Sequence, residues 1–113
     1  MKTMSKIRSI VSGSIFAAML ALTACGGGTA TNSTCPTPAI TYAGFGQTFF
    51  ANYCTRCHSE YKTEEGIKAH LDDIDAEAAS GPGGTNTSMP ESGAKPSDAE
   101  RMMLGQFLAC EKL

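Results

Sequence analysis

The chain has 113 residues, with 9 Lys+Arg against 11 Asp+Glu, 12 Gly, no Trp and 5 Cys. A chain of this length is expected to form one small domain rather than a multidomain enzyme, and its near balance of charge lacks the clustered basic face of a nucleic-acid binder. An odd count of five cysteines points to disulfides, a metal or an attached cofactor, with one cysteine left for a separate role.

Residues 1–24 read as a secretory signal. Lys2, Lys6 and Arg8 form a basic start free of acidic residues, and an apolar run over residues 10–22 follows, interrupted by Ser12, Gly13 and Ser14. The run suits a signal peptide and falls short of the roughly 20 residues a membrane-spanning helix needs, which sets aside a short transmembrane anchor. Leu22-Thr23-Ala24-Cys25 resembles a bacterial lipobox. That resemblance implies cleavage before Cys25 and lipid on its thiol and amino group; as an ordinary cleavage site, it would leave Cys25 a free thiol. Removal of residues 1–24 leaves 89 residues with 6 basic and 11 acidic side chains, an acidic protein suited to partners with basic faces.

Residues 25–40 are expected to be a flexible tether. The segment from Gly26 to Thr34 is small, polar and Gly-rich, and Pro36 and Pro38 favour an extended path into a domain over residues 41–113. A first helix is expected over residues 44–57, with Phe45, Phe49, Phe50 and Tyr53 on one face. A second is expected over residues 64–79, capped by Thr63. Ile67, Leu71, Ile74 and Ala78 face inward there, and Asp72, Asp73, Asp75 and Glu77 face water. Gly and Pro crowd residues 80–96, which reads as a long loop, and no strand alternation is visible. Ser97-Asp98-Ala99-Glu100 is a capping box opening a last helix with Met103, Leu104, Phe107 and Leu108 as its apolar stripe.

The chemistry-bearing motif is Cys54-Thr55-Arg56-Cys57-His58. Two residues between the thiols let one turn present both sulfurs to a porphyrin edge, and the adjacent His58 supplies the proximal iron ligand, the spacing of covalent c-type haem attachment. Thiol–disulfide exchange would normally ride on a βαβ scaffold, which the chain lacks. A structural zinc site usually takes four protein ligands, and His58 and His70 are the only histidines.

From here the chain resembles the class I cytochrome c family over residues 41–113. Gly46 and Phe50 stand eight and four residues before Cys54, where that family keeps a glycine and an aromatic; Leu104, Phe107 and Leu108 match its C-terminal helix. The resemblance implies an all-α fold wrapped around a covalently bound haem, with the last helix crossing the first at Gly46. Thr87-Ser88-Met89-Pro90 resembles the family's distal motif, which implies Met89 as second axial ligand and a raised potential. His70, on the second helix, is the competing sixth ligand. Met102 and Met103 read as core filling in the last helix. The chain departs from the family in having no proline after His58 until Pro82, so the partner of His58 is unassigned, and in the short 31-residue separation of His58 and Met89, which implies an exposed haem edge. The family's crossing helices imply a Cys35–Cys110 disulfide, against two free thiols, and an exported compartment permits the bond.

The expectation is thus a lipid-anchored, periplasm-facing monohaem cytochrome c, not an enzyme, that passes single electrons between a redox donor and acceptor. Gly26 after Cys25 favours the outer membrane. The alternative is a haem-based sensor with a displaceable or histidine sixth ligand; a third possibility is a haem-free structural lipoprotein.

Overall fold

The structure, a computed structural model, describes residues 28–113. The signal segment, residues 1–24, and the lipidation site Cys25 lie outside the described residues.

Thr41 opens the first element: its hydroxyl accepts the Gly44 amide at 3.0 Å, capping a π-helical turn, Tyr42–Gly46, that runs directly into α1, Gln47–Tyr53. The aromatic face behaves as its spacing requires. Phe49 and Phe50 are buried, with Phe45 and Tyr53 half-buried beside them. Successive rings pack at 5.0–5.6 Å between centroids, so the turn and α1 together present a continuous aromatic face to the core.

After the turn at residues 54–57, a 3-10 turn, Ser59–Lys62, leads to α2, Glu64–Lys68. Thr63 caps α2 by accepting the Gly66 amide at 3.1 Å. The single helix expected over residues 64–79 is two. Helical geometry is interrupted at His70 (φ −134°, ψ 25°), and α3, Leu71–Ala78, begins after it. Ile67, Ile74 and Ala78 still reach the core, and a period shared by two successive helices does not register the break between them. Asp75, expected on the wet face, is buried. Its carboxylate accepts the Thr31 amide at 2.8 Å and the Thr31 hydroxyl at 2.6 Å.

That pair of bonds corrects the tether. The Thr31 side chain is buried, and the Thr29 backbone exchanges bonds with the Asn86 side chain at 2.9 and 2.6 Å. The Gly83 amide donates to the Thr31 carbonyl at 2.7 Å. Residues 29–33 are therefore a strap bound to α3 and to a small hairpin. Composition alone reads such a stretch as free because its partners lie some fifty residues away.

The hairpin departs from an all-α expectation. β1, Ser80–Gly81, pairs antiparallel with β2, Gly84–Thr85, in the register Ser80↔Thr85 and Gly81↔Gly84. Strands of two residues are too short to display alternation. The molecule is mostly helical, with this one small sheet among the described residues.

α4, Asp98–Glu111, closes the fold. Its capping box forms as expected: Ser97 Oγ accepts the Glu100 amide at 3.2 Å, and Glu100 Oε2 accepts the Ser97 amide at 2.7 Å. Leu104, Phe107 and Leu108 are buried. Phe107 lies over Gly46, where an added Cβ would come within 2.8 Å of the ring, so α4 approaches the first helical segment at that glycine. Met102 and Met103 are not core. They are 55% and 41% exposed, and the inward place on that face belongs to Arg101. Cys35 and Cys110 are disulfide-bonded, with Cα atoms 4.5 Å apart, tying the approach to the first helix to the end of the last. No described helix is long and apolar enough to cross a membrane.

Candidate functional site

The end of α1 builds the first part of the site. The Cys54 amide donates to the Phe50 carbonyl at 2.9 Å, and Cys54 leaves helical geometry as the C-cap. The Cys54 carbonyl then accepts the amides of Cys57 at 3.2 Å and His58 at 2.9 Å. One tight turn thus carries both cysteines and the histidine, with Cys54 half-buried and Cys57 exposed.

The 3-10 turn fixes the imidazole. Tyr61 donates its amide to the His58 carbonyl at 3.1 Å, and its ring stacks on the imidazole with centroids 5.1 Å apart. Glu60 Oε1 lies 3.1 Å from His58 Nδ1, supplying the partner that the sequence left unassigned. Accepting backbone and His58 hydrogen bonds holds the Glu60 carboxyl below the usual range. Burial, reinforced by the Glu60 charge, pushes the Tyr61 phenol up to about 12.

Met89 arrives on a loop pinned from two directions. Its amide donates to the Glu77 carbonyl at 3.0 Å, and Ser88 Oγ donates to the same oxygen at 3.0 Å. Its carbonyl accepts Arg101 Nη1 at 2.9 Å. The same nitrogen donates to the carbonyls of Ala78 at 2.8 Å and Asn86 at 3.1 Å. Arg101 is buried and has no carboxylate within ion-pair distance among the described residues, so its guanidinium serves the backbone that holds the loop. Sequence reasoning missed this residue. The signal was there in its register: Arg101 stands three residues before Leu104 and seven before Leu108, on the buried stripe.

Cys54, Cys57, His58 and Met89 all line one cleft, together with apolar walls from Phe49, Tyr53, Ile74 and Ala78. Its volume is about 190 Å³, and Pro90, Glu91, Ser92, Gly93 and Ala94 complete its lining. Sites that enclose a drug-sized ligand run to roughly 300–1,000 Å³, and this cleft is smaller. His70 is not part of the cleft. Its ring stands edge-on to Tyr61 at 5.7 Å, and its Nδ1 is 3.9 Å from Asp73.

The chemistry of the donor set fits a covalently held haem better than an ion bound by protein alone. Among the described residues no three His, Cys, Asp or Glu side chains are grouped to hold a metal ion. Burial pushes the Cys54 thiol up to about 11 despite the opposing Arg101 charge. What the cleft offers is two thiols on one turn, an imidazole beside them and a thioether from the last loop. Comparison with protein-family models, curated proteins and solved structures gives no match to this chain.

Proposed function

We propose that the chain is a monohaem c-type cytochrome that carries single electrons. One observation carries the reading: residues 31 positions apart in sequence, His58 and Met89, line the same apolar cleft as Cys54 and Cys57. When bound, haem supplies one-electron chemistry at iron, and the protein supplies orientation, ligand field and dielectric. Cys54 and Cys57 would hold it as thioethers. His58 presents an imidazole whose Nδ1 is already engaged, leaving Nε2 for the metal. Met89 offers a thioether, a soft ligand that favours the reduced state. Phe49, Ile74 and Ala78 exclude water from the buried side, while the open mouth leaves an edge for exchange with a redox donor or acceptor.

The absence of His70 from the cleft favours methionine over bis-histidine ligation. It also favours an electron carrier over the sensor reading, because a pinned Met89 loop is a poor displaceable ligand. The acidic surface suits donors and acceptors with basic faces. We place the protein on a membrane facing the periplasm through lipid on Cys25.

Absorption spectroscopy tests the ligand set. The oxidised protein should show the weak sulfur-to-iron charge-transfer band, lost in Met89→Ala and retained in His70→Ala. The reduced protein should resist carbon monoxide; rapid stoichiometric binding would establish the sensor instead.

A further inference from the structure

Resting on the haem reading above, we propose that Glu60 is the positioning residue for His58: its carboxylate accepts the Nδ1 proton, aims Nε2 at the metal and lowers the reduction potential. An imidazole that binds metal through one nitrogen almost always donates the other N–H to a carboxylate, a carbonyl or water, and that partner sets ring orientation and ligand basicity. In this chain the His58 ring has one hydrogen-bond partner among the described residues, Glu60 Oε1 at 3.1 Å.

The contact is built by the backbone. Glu60 belongs to the 3-10 turn Ser59–Lys62 that starts directly after His58, and the Tyr61-to-His58 backbone bond at 3.1 Å closes that turn. Tyr61 covers one face of the imidazole at 5.1 Å and is itself braced edge-on by Phe50 at 5.8 Å. The ring is held by face and by Nδ1. No proline lies between His58 and Pro82.

A carboxylate accepts more strongly than a neutral carbonyl. It gives the imidazole more anionic character and stabilises the oxidised iron over the reduced. Glu60 thus opposes Met89, which raises the potential. Both side chains are partly exposed, 39% for His58 and 46% for Glu60, so solvent moderates the effect without removing it.

The experiment is a spectroelectrochemical titration of the wild-type holoprotein, Glu60→Gln and Glu60→Asp, each with haem quantified by pyridine haemochrome. Glu60 is on the surface, so both variants should carry the wild-type haem content. The potential should shift positive in Glu60→Gln, which loses the charge, and also in Glu60→Asp, which keeps the charge but withdraws it from Nδ1. In both, the His58 Nδ1 proton seen by NMR should exchange faster with water. A shift in Glu60→Gln alone would mean through-space charge only and overturn the proposal, as would an unchanged potential in both. Wild-type protein without haem would overturn the underlying reading itself, and the two failures are told apart by the haemochrome value.

Discussion

Arg101 shows how a single residue can organise a site it does not enter. Its Nη1 reaches three carbonyls, those of Ala78, Asn86 and Met89, and so joins α3, the end of the hairpin and the Met89 loop to α4. Leaving a buried acceptor unpaired costs about 1–3 kcal/mol. Arg101→Met should therefore destabilise the fold by about 3 kcal/mol or more in urea unfolding. Met103→Ala, two residues on but 41% exposed, should cost less than about 1 kcal/mol. Comparable losses in the two variants would mean that the guanidinium does not hold the loop. At this scale the sequence was legible where chemistry is local. Cys54, Cys57, His58 and Met89 are found by motif and all reach one cleft, whereas Arg101, Glu60 and Asp75 depend on contacts that only folding creates.

Among the elements, α4 is the best specified, because its signals are written within four residues. The box of Ser97 and Glu100 satisfies two amides, and the Tyr53 hydroxyl adds a donor to the Glu100 carboxylate at 3.0 Å, linking the start of α4 to the end of α1. Ser97→Ala should cost about 1 kcal/mol by thermal unfolding. Hydrogen bonds from the Ser97 amide and the Tyr53 hydroxyl hold the Glu100 carboxyl below its ordinary value of 4.5. A depressed folded-state value stabilises the protein above the unfolded value, and this contribution is lost as pH falls through the lowered one. Wild type should therefore lose more melting temperature than Glu100→Gln between pH 5 and about 3; equal losses would show the carboxylate to be uncoupled from folding. The hairpin and the helix break at Ala69 and His70 were illegible for the opposite reason. Strands of two residues carry no period, and the apolar spacing of α2 continues into α3 without interruption.

At the scale of the molecule, the described core is small. Nine apolar side chains are buried, and the covalent ties must supply what a larger core would. The Cys35–Cys110 disulfide closes a loop of 75 residues and should contribute about 4 kcal/mol in the chain-entropy model, so a Cys35→Ser, Cys110→Ser double variant should unfold at correspondingly lower urea. A midpoint unchanged under reducing conditions would count against the bond. A covalent haem, on the reading proposed above, would be the second tie. The proposed division of the five cysteines, one for lipid, two for haem and two for a bridge, turns on Cys54 and Cys57. The decisive measurement is pyridine haemochrome spectroscopy on the protein expressed with its own leader in a host that matures c-type cytochromes, after extraction with acidified acetone. One haem per chain that stays with the protein through extraction, and is lost in a Cys54→Ser, Cys57→Ser double variant, is the expected result. Haem that extracts freely, or none at all, would contradict it.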